Sequence, residues 1–185
     1  MQSGTDPQDQ DGQAIDVIFS PEIIAARLDV LAREIKAAAP EPLLVVPVLK
    51  GSFVFAADLI RAMHRAGMEP EVDFLTLSSY KRSRVSSGKV EILRDLDLNV
   101  ERRNVLLIDD VLDSGRTLVF AKDLIAARGA ASVKTCVLLD KKVARAVNVA
   151  ADFRAFECED MFVVGYGMDV AHRYRQLPYV GRVAT

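Results

Sequence analysis

Residues 105–118 read VLLIDDVLDSGRTL and join an apolar run to three acidic residues and a turn of small residues. The apolar run predicts a short strand that is buried on both faces. Adjacent strand residues point to opposite faces, so Asp109 and Asp110 act together only where the strand ends. Asp113 lies beyond that end, and Ser114–Thr117 place N–H groups at a helix start, which favours a phosphate. The stretch therefore predicts a phosphate ligand with sugar hydroxyls or a metal ion.

On either side of this stretch, predicted strands alternate with predicted helices. Ser20 and Pro21 provide the N-cap and first position of a helix that ends before Pro40. The other helices are predicted over residues 53–66 and 115–128, and the strands over residues 43–49, 71–80, 90–96, 104–109, 132–140, 161–167 and 179–184. This order predicts an α/β fold with a mainly parallel sheet flanked by helices.

Chemically reactive side chains follow several of these strands. They occur in residues 50–52, 109–113, 140–141 and 165–169. Ligands of parallel sheets bind beyond the carboxyl ends of the strands. We therefore expect these segments to meet at one edge of the sheet.

The composition is that of an ordinary globular protein. The chain has 24 basic and 26 acidic residues, without the basic excess typical of nucleic-acid-binding proteins. No apolar run approaches the roughly 18 residues of a membrane span, and the N-terminus lacks the pattern of a secretory signal. Cys136 and Cys158 have neither a redox nor a zinc spacing, so we expect buried reduced thiols in a cytoplasmic protein.

The domain organisation predicted from the sequence is simple. Residues 1–14 are polar, contain Gly and Pro, and have almost nothing to bury, which predicts a disordered tail. The remaining residues, 15–185, have the length of one domain and contain no visible linker or internal repeat.

Three other interpretations of residues 105–118 fit less well. Helix capping by Asp113 or Ser114 would not explain two acids that end an apolar strand. A Walker-type nucleotide hydrolase needs a Gly-x-x-x-x-Gly-Lys-Ser/Thr loop, and the segment Gly88–Val90 lacks both the earlier Gly and the final Ser or Thr. A receiver domain would place this strand first in the fold, whereas about 100 residues precede it.

The stretch VLLIDDVLDSGRTL resembles the phosphoribosyl pyrophosphate-binding motif of the type I phosphoribosyltransferases. Four further segments, between about residues 19 and 181, resemble the hypoxanthine/guanine phosphoribosyltransferases: VPVLKGSFVFAADLIRAM, DFLTLSSY, SSGKVEILRDLD and MFVVGYGMDVAHRYRQLPYVG. The resemblance implies a Rossmann-like core, a small hood and a mobile lid loop over residues 80–89. It also implies a purine-salvage reaction in which a 6-oxopurine and phosphoribosyl pyrophosphate, with Mg²⁺, give the nucleoside monophosphate and pyrophosphate.

The resemblance also implies roles for the residues of the central motif. Asp109 and Asp110 are expected to face the ribose hydroxyls and magnesium. Asp113 is expected to be the catalytic general base toward purine N7, within hydrogen-bond reach of that nitrogen. The 5′-phosphate is expected to bind Asp113, Ser114, Gly115, Arg116 and Thr117.

The pyrophosphate is assigned, by the same resemblance, to two distant segments. Lys50 and Gly51 match the family's pyrophosphate loop, in which a cis peptide is expected at Leu49–Lys50. Arg175 matches a pyrophosphate-contacting arginine, and Asp169 is expected to bind a second magnesium ion. These residues are about 120 positions apart along the chain.

The purine is assigned to the ends of two later strands. The resemblance implies that Lys141 donates to purine O6, that Phe162 stacks on the ring, and that the Val163 backbone contacts its edge. The local sequence alone instead favours a Lys141 side chain that extends into solvent.

The lid is expected to begin at Ser79 and Tyr80 and to shield the reacting atoms from water. Its basic segment 81–84 either attracts pyrophosphate or is a solvated run of charge. Two functional alternatives stay open: a xanthine- or pyrimidine-preferring enzyme of the same fold, and a non-catalytic regulator that senses phosphoribosyl pyrophosphate. The resemblance further implies a homodimer or homotetramer.

Overall fold

The computed structural model describes residues 15–79 and 90–183. The predicted disordered tail, Tyr80 and the basic segment 81–84 of the predicted lid lie outside the described residues. Within the described ranges, no helix is long and apolar enough to cross a membrane.

The described residues form helices and strands in alternation. The helices are α1 (Pro21–Ala38), α2 (Phe53–Arg65) and α3 (Arg116–Ala127). The strands are β1 (Ile15–Phe19), β2 (Leu43–Leu49), β3 (Glu71–Val72), β4 (Leu75–Ser79), β5 (Val90–Arg94), β6 (Asn104–Leu112), β7 (Ser132–Lys141), β8 (Phe153–Cys158), β9 (Val163–Val164) and β10 (Val180–Val183).

The central sheet has the strand order β5-β4-β2-β6-β7-β8, and the short β3 pairs with β2. Strands β4, β2, β6, β7 and β8 run parallel to one another, whereas β5 is antiparallel to β4. The predicted α/β fold with a mainly parallel sheet is confirmed. The carboxyl ends of β2, β6 and β7 lie side by side at the edge where such sheets bind ligands.

The two faces of the sheet are covered by different helices. Val45 of β2 belongs to an apolar cluster with residues of α1 and α2. Its neighbours Leu44 and Val46 belong to a second cluster with Ala121 and Ile125 of α3. This alternation is the period of two that a strand buried on both faces requires.

The small hood is a second, three-stranded sheet with the order β1-β10-β9. Both pairings are antiparallel, with Ile15 opposite Val183 and Val164 opposite Gly181. The first and last described strands are therefore neighbours, and the hood implied by the resemblance is confirmed.

Both cysteines are buried free thiols, as the sequence predicts. Burial raises the pKa of the Cys136 thiol, so this group stays protonated and behaves as a small apolar residue.

Several strand predictions were incomplete. Strands β1 and β8 were not predicted at all. The predicted strand over residues 71–80 is divided at Asp73, whose buried Oδ2 accepts the N–H groups of Asp97 and Leu98 at 2.8 Å each. The Asp73 carboxylate thus joins the loop after β5 to the break between β3 and β4.

The predicted strand over residues 161–167 is only the two residues of β9. Beyond it the chain turns back, with Gly165 N donating to Met168 O at 3.1 Å and Met168 N to Gly165 O at 3.0 Å. Gly165 and Gly167 have φ values of +89° and +101°, which lie outside a regular strand.

Candidate active site

A cleft of about 1110 Å³ opens at the carboxyl edge of the central sheet. Its lining includes nearly all the residues that the sequence singled out: Lys50, Gly51, Asp109, Asp110, Asp113, Ser114, Gly115, Arg116, Thr117, Lys141, Phe162, Val163, Asp169 and Arg175. Ser79, the last residue of β4, follows the cleft-lining Ser78. Tyr80 lies outside the described residues.

The phosphate turn, residues 113–117, connects β6 to α3. Gly115 is the N-cap of α3, with φ +81°, and it offers no side chain to the first N–H groups of the helix. The interpretation of Asp113 or Ser114 as a simple helix cap is therefore wrong. The start of α3 presents N–H groups and the positive end of a helix dipole, a common arrangement for binding a phosphate.

The two adjacent acids lie inside β6 and not at its end, because the strand continues to Leu112. The sequence-based placement of Asp109 and Asp110 at the strand terminus was wrong in this respect. Asp109 Oδ1 accepts the N–H of Asp110 at 3.0 Å, and Asp110 Oδ1 accepts the N–H of Val111 at 2.9 Å. Each carboxylate thus turns toward the N–H of the following residue. The two acids also interact with each other although they lie within the strand.

Asp109 is buried, whereas Asp110 is half-buried at the cleft. Burial, followed by the neighbouring Asp110 carboxylate, raises the pKa of Asp109 well above its usual value. Two acids this close favour a partner that carries positive charge.

The loop after β2 approaches this acid pair closely. A Cβ atom added at Gly51 would lie 1.8 Å from Asp110 Oδ2, so only glycine leaves room for the carboxylate. The expected cis peptide at Leu49–Lys50 is confirmed. Lys50 is exposed at the cleft beside these acids.

The acid pair fits a divalent cation that is also held by a phosphorylated substrate. In the described ranges, no three His, Cys, Asp or Glu side chains converge to bind a metal without other ligands. Mg²⁺ typically binds one or two carboxylates together with substrate phosphates and water, which is the donor set that Asp109 and Asp110 offer. Asp169, the other expected ligand, has Oδ1 at 2.7 Å from Arg175 Nη2 and accepts the His172 N–H at 2.8 Å.

Lys141 lies at the end of β7 and is only 9% exposed. Its Nζ is 3.9 Å from Asp113 Oδ2 and 3.8 Å from Asp160 Oδ1. The alternative in which Lys141 extends into solvent is therefore wrong. The ammonium group lies between two carboxylates beside the phosphate turn.

Phe162 is 58% exposed although it lines the cleft, whereas the adjacent Val163 is buried in β9. Phe162 and Lys141 both line the cleft, which therefore offers an exposed aromatic face for stacking and an ammonium group as a hydrogen-bond donor. Flat aromatic ligands with a carbonyl oxygen have this pair of requirements.

The segment after β9 closes the cleft from the hood side. A Cβ atom at Gly167 would lie 2.4 Å from Gly51 O, so the two backbones touch. Arg175 Nη1 donates to Gly167 O at 2.7 Å, and Tyr166 Oη donates to Asp58 Oδ2 of α2 at 2.5 Å. These contacts hold the segment that carries Asp169 and Arg175 against the Lys50 loop.

Several cleft-lining residues were missed by the sequence analysis. They include Thr76, Ser78, Leu93, Ala146, Met168 and His172. Their local sequences carry no chemical signal, and they reach the cleft through strand pairing or loop packing. Only the position of Thr76 and Ser78 in the strand before the expected lid could have indicated them.

Comparisons with known proteins agree with this geometry. A family model described as the phosphoribosyl transferase domain matches residues 16–171. The chain is 45% identical over 166 residues to the hypoxanthine-guanine phosphoribosyltransferase of Bacillus subtilis (strain 168), across 89% of this chain and 91% of that protein. It is 42% identical over 172 residues to the hypoxanthine phosphoribosyltransferase of Buchnera aphidicola subsp. Schizaphis graminum, across 91% and 96%.

A solved structure gives the same result. The crystal structure of a hypoxanthine-guanine phosphoribosyltransferase from Bacillus anthracis has a TM-score of 0.84 and 39% identity, and covers 91% of this chain and 98% of that chain. The chain therefore belongs to the phosphoribosyltransferase family, and within it to the hypoxanthine-guanine phosphoribosyltransferases.

Proposed function

We propose that this cleft transfers the 5-phosphoribosyl group from phosphoribosyl pyrophosphate to hypoxanthine, and also to guanine, with release of pyrophosphate. The protein is a purine-salvage pentosyltransferase, which gives IMP or GMP. The observation that carries the proposal is the 3.9 Å approach of Lys141 Nζ to Asp113 Oδ2. It brings a donor for a purine oxygen next to a carboxylate of the phosphate turn.

On the donor side, we assign the 5′-phosphate to the phosphate turn, with the Arg116 cation and the Ser114 and Thr117 hydroxyls beside the helix start. Asp109 and Asp110 would orient the ribose hydroxyls. The bond from ribose C1′ to the pyrophosphate oxygen breaks with oxocarbenium character, as in glycoside cleavage. Holding both reactants in one cleft lowers the entropic part of the barrier.

The leaving pyrophosphate is assigned to the opposite wall. Lys50 and Arg175 line that side of the cleft and supply positive charge. Arg175 is already oriented by Asp169 and by Gly167 O, so little side-chain freedom is lost when an anion binds.

On the acceptor side, purine N9 bonds to C1′ while Asp113 accepts the proton from N7. Lys141 donates a hydrogen bond to O6, the oxygen on which the base bears negative charge as its proton leaves. Phe162 stacks on the ring, and the Val163 backbone contacts its edge. This division assigns proton transfer to Asp113 and orientation of the base to Lys141.

The reaction of this family depends on a divalent metal, and we propose Mg²⁺. Asp109, Asp110 and Asp169 are the side chains that would hold it together with substrate oxygens. When bound, the ion neutralises charge on the pyrophosphate as it leaves.

Three further expectations stay predictions. They are a single domain over residues 15–185, a homodimer or homotetramer, and a cytoplasmic location. Size-exclusion chromatography with light scattering measures the oligomeric state directly.

The decisive experiment measures pyrophosphate release with phosphoribosyl pyrophosphate, Mg²⁺ and one base at a time: hypoxanthine, guanine, xanthine or uracil. We expect turnover with hypoxanthine and guanine. If only xanthine or only uracil reacts, the proposed acceptor is wrong. If no base reacts, a regulator that binds phosphoribosyl pyrophosphate without catalysis is favoured.

The role of Lys141 has a matched control in the next residue. Lys142 is exposed and pairs with Glu157 and Glu159 on the outer surface. We expect Lys141→Gln to raise KM for hypoxanthine by about tenfold, because a charged hydrogen bond to the base is lost. Lys142→Gln should leave that KM unchanged. Equal effects of the two substitutions would contradict the assignment of Lys141 to purine O6.

A further inference from the structure

The β7–β8 loop, residues 142–152, forms a side wall of the phosphate turn. Ala146 N–H donates to Ser114 O at 3.1 Å. Ala146 also lines the cleft, although it lies 32 positions after Ser114. The loop therefore fixes part of the turn's backbone from outside the β6–α3 unit.

Two valines of this loop occupy the space in front of Gly115. A Cβ atom at Gly115 would lie 2.5 Å from Val149 Cγ1 and 3.0 Å from Val147 Cγ2. Val149 also packs against a buried cluster that contains Leu112 and Leu118, on either side of the turn. The turn thus rests on the loop and on the sheet at the same time.

The conformation of the loop depends on Arg145. Its Nη1 donates to Val149 O at 2.7 Å and its Nη2 to Lys141 O at 3.3 Å, and Nη2 also pairs closely with the Asp140 carboxylate. The Arg145 side chain is only 21% exposed. One planar guanidinium group therefore joins the end of β7 to the far side of the loop, which a single ammonium group cannot do.

Arg145 does not line the cleft, whereas Lys141 and Ala146 on either side of it do. Any effect of Arg145 on the reaction must therefore pass through the residues it holds. Those residues are the purine-side Lys141 and the loop that supports the phosphate turn.

We propose that Arg145 is a positioning residue, which fixes the β7–β8 loop against the phosphate turn and so holds the backbone that binds the 5′-phosphate. The proposal rests on the proposed function, because it takes this turn as the phosphate site. It predicts that loss of the guanidinium group weakens phosphoribosyl pyrophosphate binding more than it weakens binding of the base.

The test compares Arg145→Gln with Arg154→Gln. Arg154 also approaches Asp140, at 4.0 Å, but is half exposed and pairs mainly with Glu157 at 2.7 Å. Titration calorimetry with phosphoribosyl pyrophosphate and Mg²⁺ measures Kd without turnover, and steady-state assays give KM for each substrate.

We expect Arg145→Gln to raise Kd for phosphoribosyl pyrophosphate by about tenfold or more, since misplacement of binding groups by about 1 Å can cost up to about 100-fold. KM for hypoxanthine should change less, and Arg154→Gln should stay within about twofold of the wild type. Arg145→Lys should recover only part of the affinity, because its ammonium group cannot reach all three acceptors.

Equal Kd values for Arg145→Gln and the wild type would overturn the proposal, as would an equal weakening by Arg154→Gln. If Arg145→Gln does not fold, Arg145→Lys is the deciding variant, because it keeps a cation that cannot reach all three acceptors. A Kd raised by Arg145→Lys supports the proposal, and an unchanged Kd overturns it. Failure of the wild-type protein to bind phosphoribosyl pyrophosphate would instead overturn the proposed function.

Discussion

The two walls of the cleft are built in different ways. The phosphate wall, residues 109–117, is one continuous segment that runs from the last residues of β6 into the start of α3. The hood wall, residues 162–175, contains only the two-residue strand β9 and a series of turns. Its backbone has positive φ at two glycines and at four other residues: Gly165, Tyr166, Gly167, Ala171, His172 and Tyr174.

The two walls differ in the contacts that hold their side chains in place. In the phosphate wall, the strand ladder and the helix orient the side chains. In the hood wall, backbone hydrogen bonds between turns do so, such as Tyr166 N to Leu177 O at 2.9 Å and Gly167 N to Arg175 O at 3.0 Å. Left-handed conformations at non-glycine residues persist only where surrounding contacts enforce them. The hood wall should therefore be sensitive to distant substitutions, and the phosphate wall to local ones.

The largest expected effect comes from the phosphate wall itself. Asp113→Ala should lower kcat by about 100-fold or more if Asp113 is the general base. Asp160→Ala is the matched control, because Asp160 is also a carboxylate within 4 Å of Lys141. The measurement is the steady-state kcat of both variants with hypoxanthine. Unaltered turnover in Asp113→Ala would contradict the assignment of Asp113 as the general base.

A second substitution tests the contact between the Lys50 loop and the phosphate wall. Gly51→Ala should reduce kcat/KM by about tenfold or more, because its Cβ displaces the Asp110 carboxylate. Gly67→Ala, at the end of α2, provides the control. Its φ of +77° makes alanine unfavourable by about 1 kcal/mol, so its stability should fall while its activity is retained. Loss of activity in both variants would point to a general folding defect.

A third substitution tests the dependence of the hood wall on α2. Tyr166→Phe removes the hydrogen bond to Asp58 and should lower the free energy of unfolding by about 1.5 kcal/mol, with a modest rise in KM for phosphoribosyl pyrophosphate. Tyr179→Phe is the control, since the buried Tyr179 hydroxyl has no hydrogen-bond partner among residues 15–79 and 90–183. Denaturant unfolding should show it to be neutral or stabilising. Similar losses in both variants would contradict the role of the Tyr166 contact.

The smallest effect concerns the stability cost of the acid pair. Because burial raises the pKa of Asp109, the folded protein keeps this proton to a higher pH than the unfolded chain does. Stability therefore falls as pH rises from the unfolded-state pKa through the raised one. Without substrate or metal, Asp109→Asn should unfold at a higher temperature than the wild type at pH 8.

That difference in melting temperature should shrink as the pH is lowered, because the raised pKa of Asp109 favours its protonated form in the folded wild type. Asp97→Asn, a change at a 74% exposed carboxylate, should show no such pH-dependent gain. A lower melting temperature for Asp109→Asn at pH 8 would mean that the Asp109 charge stabilises the fold.

The phosphate wall was largely predictable, and the hood wall was not. An apolar run and a Gly-containing turn located β6 and α3, although β6 proved longer than predicted. The roles of Asp169 and Arg175 came only from family resemblance, since neither residue lies in a regular element. The strand predicted over residues 161–167 is shorter than expected because the apolar run gives way at Gly165 to turns that tertiary contacts stabilise.

The sequence by itself determined the parallel sheet and the strand–turn–helix unit. These follow from periodicity and from backbone bonds between near neighbours, which local residues control. The identity of the ligand was implied by the family resemblance of residues 105–118 and of the later segments. Only the tertiary structure decided that Lys141 lies beside Asp113, that Gly51 faces Asp110, and that the Arg145-held loop supports Gly115. Such contacts join segments distant in the chain, and they form when the core on both sheet faces brings the strand ends together.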